Sequence, residues 1–285
     1  MSRPMWFVDL IKHFYPDRFT IAGWTRTSPV MKNVIEKFIF EGDDTIYLPK
    51  DNVFKEALKA GLVKERIPIN QPIIKEDVVL PSDVVRHFIK ESKYLWINNW
   101  CMCRDSMKCK DYPIDIGCMF MGEPVLGINP ELGRLVSVDE ANDHLDKAID
   151  HGFIHMIGRN KIDTQWMGIS PGDKLLSVCN CCECCCLYKV LPNLDRDLSA
   201  QVKKMPGVQV TVDEEACIGC GKCSKGVCVT NAIQVLDGVA KINEFCLGCG
   251  RCVEVCPTNA IELSIHDGQF ADTAIENILN ATDPR

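Results

Sequence analysis

The chain has 285 residues, 46% hydrophobic and 25% charged, with a formal net charge of −7 and 18 cysteines. That composition belongs to a globular protein rather than a disordered chain, and at this length folding needs no disulfide scaffold. The longest uncharged apolar runs fall short of a membrane span and Asp9 interrupts the start before a signal-peptide core can form, so the expectation is a cytoplasmic chain whose reduced thiols hold metal.

From the N-terminus, Trp6, Phe7, Leu10, Ile11 and Phe14 share one helical face, and Val34, Ile35, Phe38 and Ile39 repeat the pattern, which predicts two helices packed on a core. Docking of the first helix on a membrane or a partner is the alternative, weakened by its short length and modest basic content. Pro49, Pro68, Pro72 and Pro81 then punctuate the chain, so residues 1–80 are expected to form a helical and irregular segment.

Residues 81–205 are expected to form a Cys-rich metal-binding α+β domain. Ser82 can cap a helix from Asp83 to about Ser92, and Tyr94 to Ile97 has strand character. Cys101, Cys103, Cys109 and Cys118 follow. Ser137 and Glu140 form a capping box for a helix to about His151, closed by Gly152. Phe153 to Ile157 and Leu175 to Val178 are further strands, the second ending at a knot containing Cys179, Cys181, Cys182, Cys184, Cys185 and Cys186. Six thiols in eight residues leave an oxidisable loop unless something coordinates them. The readings are an extra iron–sulfur site, structural zinc, or unligated and substrate-reactive thiols, with both cysteine stretches free to converge on one site. His144 and His151 belong to a solvated helix, while His155 could reach the metal region as a ligand or proton donor. Arg104, Lys108 and Lys110 could offset thiolate charge or hold an anion, although a solvated surface is the commoner role.

Residues 206–265 contain an internal repeat. Cys217-Ile218-Gly219-Cys220-Gly221-Lys222-Cys223 recurs as Cys246-Leu247-Gly248-Cys249-Gly250-Arg251-Cys252, and Thr230-Asn231-Ala232-Ile233 recurs as Thr258-Asn259-Ala260-Ile261. The second copy continues to Cys256-Pro257, the Cys-x2-Cys-x2-Cys-x3-Cys-Pro run of bacterial ferredoxins. Three thiolates on one tight turn can each reach a different iron of a cube, and the glycines let the backbone bend toward sulfur. Val208, Val210 and Val212 alternate as a strand, Asp237-Gly238 is a type I′ hairpin turn, and short helices are expected after Cys220 and Cys249. In the remaining tail, 266–285, Asp272 can cap a short helix.

On these motifs the module resembles the two-cluster [4Fe-4S] ferredoxins. The resemblance implies a pseudo-twofold βαβ repeat in which Cys217, Cys220, Cys223 and Cys256 hold one cluster and Cys246, Cys249, Cys252 and Cys228 the other. The first copy departs from the pattern, with four residues between Cys223 and Cys228 and Val229 in place of Pro. Trp100 to Gly122 together with the knot resembles uncharacterised iron–sulfur proteins of anaerobic microbes that carry a C-terminal ferredoxin module. The fold class expected is α+β, with the ferredoxin-type module after the Cys-rich domain and the helical N-terminal segment.

Residues 206–285 carry 5 Lys plus Arg against 11 Asp plus Glu, which disfavours nucleic acid and suits docking onto a basic surface of a redox partner. No dinucleotide-binding glycine motif and no Walker motif is present. The expected function is single-electron transfer between two [4Fe-4S] clusters, one or two additional iron–sulfur clusters in the middle region, and the partner. The alternatives are an anaerobic reductase or oxidoreductase subunit whose middle cluster or thiols act on substrate, and a redox sensor or cluster carrier.

Overall fold

Short runs rich in branched and aromatic residues build the sheet at the centre of the fold. In the computed structural model, which describes residues 2–63 and 79–285, these are β1 (Asp44–Tyr47), β2 (Leu95–Asn98), β3 (Met119–Met121), β4 (Gly133–Val136), β5 (Ile154–Arg159), β6 (Leu176–Cys181) and β7 (Val202–Lys204). They lie in the order β4-β2-β3-β6-β5-β1-β7, antiparallel throughout except for β1 with β7. The architecture is mixed, helices covering both faces of this sheet. Pro68 and Pro72 lie outside the described residues.

Alternation along the strands decides which chemistry each face receives. Leu95, Met119, Met121, Leu176, Val178 and Ile157 point into the core beneath helices Asp51–Lys59, Pro81–Glu91, Val138–Asp150 and Phe270–Ala281. Trp96, Phe120, Ile154, Met156, Cys179 and Cys181 point the other way, under helices Met5–Phe14, Arg18–Thr27 and Lys161–Met167. The strand expected to stop at the cysteine knot therefore runs two thiols into it, both on one face.

Several local expectations hold in detail. Ser137 Oγ accepts from the Glu140 N–H at 3.2 Å and Glu140 accepts from the Ser137 N–H at 2.9 Å, and Gly152 takes a positive φ of 72° after the helix. Others are corrected. Ser82 does not cap its helix. Its hydroxyl and N–H both bond Asp51, and Asp83 closes the turn by accepting from the Leu80 N–H at 2.7 Å. Asp272 lies inside the last helix, and Asp267 accepts from the Gln269 N–H before that helix begins. The N-terminal helices do not bury their whole apolar stripe: Trp6 is 68% exposed and Phe38 58%, with Leu10, Phe14 and Trp24 also exposed, while Val8, Ala22 and Ile35 are buried in the core and Ile11 and Ile39 of the stripe pack against it.

The C-terminal module comprises β8 (Val208–Val212), β9 (Ile233–Leu236), β10 (Val239–Ile242) and β11 (Ile261–Ile265), with β8 antiparallel to β11 and β9 to β10. Asp237 and Gly238 have φ of 52° and 82°, the type I′ hairpin expected. A helix, Arg251–Glu254, follows Cys249, but turns alone follow Cys220. Gly219 is required where it stands: its φ is +61°, and an added Cβ would lie 2.2 Å from the Gly238 carbonyl oxygen.

Candidate metal centres

The eighteen cysteines, none in a disulfide, gather into four sets. In the C-terminal module one small pocket is lined by Cys217, Cys220, Cys223 and Cys256, and another by Cys228, Cys246, Cys249 and Cys252. Each pocket thus takes its fourth cysteine from the opposite copy of the repeat. The Ala240 N–H donates to Cys217 Sγ at 3.4 Å and the Ala232 N–H to Cys228 Sγ at 3.3 Å, so the backbone supplies donors at sulfur. Burial pushes Cys249 up to about 12 and, with repulsion from Cys249 itself, holds Cys252 above the ordinary thiol range. Thiols packed together this way lose their protons to a cation rather than to solvent. Donor type, spacing and enclosure all fit a cluster ligated by four thiolates.

The middle region mixes its two cysteine stretches. β3 and β6 are neighbours, with Met119 opposite Val178, which brings Cys118 Sγ to 3.5 Å from Cys179 Sγ. Cys101, Cys103, Cys118, Cys179, Cys181 and Cys186 line one end of a cavity of about 350 Å³, whose other walls include Phe7, Ile39 and Trp166. Cys182, on the same wall, aims instead at a separate group: Cys109, Cys182, Cys184 and Cys185 have all their sulfurs within 4.8 Å of one another.

Arg104 lies between these sets, 1% exposed. It donates to the Asn180 carbonyl at 2.7 Å and to the Ile116 carbonyl, and its guanidinium sits 4.2 Å from the centre of the Phe153 ring. Among the described residues it forms no ion pair with a carboxylate. Burial alone would lower its pKa, but Cys101, Cys118, Cys182 and Cys181 outweigh burial and raise it. Lys108 and Lys110, by contrast, are exposed.

Tyr47, for which the sequence carried no signal, joins two of the sets. It lines the pocket of Cys228, Cys246, Cys249 and Cys252, and its buried hydroxyl lies 3.3 Å from Cys181 Sγ and 3.4 Å from Cys186 Sγ. Arg251, in the second ferredoxin loop, pairs with Glu183 of the knot at 2.5 Å and donates to Tyr112 at 3.0 Å and to the Gly152 carbonyl at 2.8 Å. Lys50 adds a salt bridge to Glu254 at 2.7 Å and donates its own N–H to the Cys249 carbonyl. Glu183, the one charged residue amid six cysteines, was the available clue to this docking.

His155 does not join the thiols. It pairs with Asn180 across β5 and β6, so it points away from Cys179 and Cys181. Asn180 donates to the Gly117 carbonyl, which leaves its Oδ1 to accept from His155 Nδ1–H at 3.0 Å. His155 Nε2 is buried with no partner among the described residues. Burial brings the imidazole down to about 4, opposed by weaker upward pulls from Asp51 and the Asn180 hydrogen bond and reinforced by Arg86 and His144. Because the folded value lies below the unfolded one of about 6.5, the stabilisation is complete above pH 6.5 and is lost as pH falls toward 4, about 3 kcal/mol in all. His155→Gln should flatten that acid limb in thermal unfolding followed from pH 7 to pH 4. His144 is half-buried and bonds the Gly117 carbonyl at 2.9 Å, so only His151 of the pair is solvated.

Residues 210–263 match the family model of the 4Fe-4S dicluster domain. That stretch contains all eight cysteines of the two C-terminal sets and corresponds to the bacterial-type ferredoxin module. No curated protein and no solved structure matches the chain. No helix among the described residues is long and apolar enough to cross a membrane. The dicluster domain and the further cysteine sets support an iron–sulfur electron-transfer role.

Proposed function

We infer that the chain is an electron-transfer protein in which the pseudo-twofold C-terminal module exchanges single electrons with a third iron–sulfur site in the six-cysteine cavity and with a redox partner. Cys217, Cys220, Cys223 and Cys256 would hold the outer [4Fe-4S] cluster, and Cys228, Cys246, Cys249 and Cys252 the inner one. When bound, such clusters supply one-electron exchange at a potential set by charge, hydrogen bonding and exposure. The observation that carries the reading is Tyr47, one side chain that walls the inner cysteine pocket and touches two sulfurs of the cavity. Arg251, Glu183 and Lys50 hold the module in that docked position. Cys220 and Ile218 are exposed on the outer set, which faces a partner's basic surface in this reading, and the acidic balance of residues 206–285 favours such docking. So many free thiols suit a reducing compartment, the cytoplasm of an anaerobe.

The test is iron and acid-labile sulfide per chain on anaerobically purified protein, with electron paramagnetic resonance after reduction. More than eight sulfide-matched irons, and a reducible signal that survives loss of the module's cysteines, are expected. Eight irons, with no signal beyond those of the module, would overturn the third site.

A second reading, a reductase acting on substrate beside the cavity thiols, rests on one feature. An apolar cavity of about 280 Å³, walled by Leu10, Phe14, Ile35 and Leu191 among others, shares Ile11, Tyr15, Ile39 and Tyr188 with the cysteine cavity. Its substrate would be apolar. A spectral change of the cavity site on adding such a compound, lost when Ile39 is replaced by Trp, distinguishes this reading from simple transfer.

A further inference from the structure

Cys109, Cys182, Cys184 and Cys185 differ from every other cysteine set in this chain. Cys184 Sγ lies 3.5 Å from Cys109 Sγ, 3.4 Å from Cys182 Sγ and 3.5 Å from Cys185 Sγ. A tetrahedral ion with metal–sulfur bonds of about 2.3 Å sets its sulfurs roughly 3.8 Å apart. A cube, by contrast, spreads four thiolates over four different irons, too far apart for all four to lie in mutual contact. The C-terminal module is an internal comparison. Among the described residues, Cys109, Cys182, Cys184 and Cys185 form the only group of three or more His, Cys, Asp or Glu ligands with all ligand atoms within 4.8 Å of one another, and neither dicluster set does so.

The geometry points to a single divalent ion held by Cys109, Cys182, Cys184 and Cys185, in the all-thiolate tetrahedral coordination that zinc and ferrous iron share. Four protein ligands close the shell, so the site is structural rather than catalytic. Its surroundings match that role. The Cys109 N–H is tied to the Arg104 carbonyl at 2.9 Å, Tyr15 donates to the Cys185 carbonyl at 2.9 Å, and Lys189 donates to the Glu183 carbonyl at 2.6 Å. Between Met107 and Cys118 the chain forms neither helix nor strand. An ion there fastens this loop to the knot through Cys109. The same knot carries Glu183, the partner of Arg251, and Cys181 and Cys186, the partners of Tyr47. One ion therefore fixes both the docking of the ferredoxin module and the wall of the cavity.

The experiment is metal analysis of the full chain, counting divalent metal in excess of sulfide-matched iron, with X-ray absorption at the edge of the excess metal. One excess ion per chain is expected, and where it is zinc its edge shows four sulfur neighbours at about 2.3 Å and no second metal scatterer. Cys109→Ser should lose that ion, whereas Cys220→Ser should keep it. Should Cys109→Ser fail to fold, growth in cobalt gives an independent arm, with intense visible bands of tetrahedral cobalt–thiolate expected. All metal matched by sulfide, or a second metal neighbour seen at the zinc edge, would overturn the proposal. The electron-transfer reading would stand in that case, since it rests on the other fourteen cysteines, and its own failure would leave the excess ion in place.

Discussion

Replacing Arg104 with Leu should empty the six-cysteine cavity of iron while leaving the two C-terminal clusters intact. An isolated guanidinium is costly to bury, and here no carboxylate offsets it among the described residues. Once they ligate metal, the sulfurs of Cys101, Cys118, Cys182 and Cys181 would supply the opposite charge. Leucine would remove that compensation and strip the Asn180 and Ile116 carbonyls of their donors. Breaking a buried charge pair costs about 3–5 kcal/mol, a weakening of the site by roughly 10²- to 10⁴-fold. Lysine keeps the charge but cannot span both carbonyls with a rigid fork, so Arg104→Lys should fall between. Iron and sulfide analysis checks this. Sulfide-matched iron above eight per chain in Arg104→Leu, with the cavity signal unchanged, would show that the guanidinium is only a packing element.

The ferredoxin half of this design was legible because its chemistry is local. Three cysteines and two glycines within seven residues define a turn, and the repeat carries its own pairing rule. The middle half was not legible for the opposite reason. Cys118 and Cys179 meet only because β3 lies beside β6 with Met119 opposite Val178, and a register between strands sixty residues apart leaves no periodic mark. β1 has four residues and β7 three, too short for alternation to distinguish them from loops, so Tyr47 passed unnoticed in the segment expected to be helical and irregular. The N-terminal helices show a different limit. Periodicity reveals that Trp6, Leu10 and Phe14 share a face, but not that they stay exposed while Val8 and Ile11 make the core contact. The same limit hid the division of the knot, where strand alternation sends Cys179 and Cys181 to the cavity and the turn after β6 gathers Cys182, Cys184 and Cys185 around Cys109.

Pairs of cysteine replacements should show that the two C-terminal clusters are crossed between the halves of the repeat. Cys228 lines the pocket of Cys246, Cys249 and Cys252, and Cys256 that of Cys217, Cys220 and Cys223. The longer loop between Cys223 and Cys228 does not break this arrangement. It turns at Gly226, whose φ is +68° and whose missing Cβ faces open space, so the extra residue is taken up at the surface. Losing one thiolate leaves an iron of the cube without a protein ligand, and each single replacement is expected to cost about four irons per chain, the content of one [4Fe-4S] cube. Cys228→Ala with Cys246→Ala should cost no more than either alone, because both act on one cluster. Cys228→Ala with Cys217→Ala should cost about eight, because they act on two. An uncrossed arrangement predicts the reverse, with the second pair costing four and the first eight. The pattern of non-additivity therefore decides the connectivity without any need to know which cluster gives which signal.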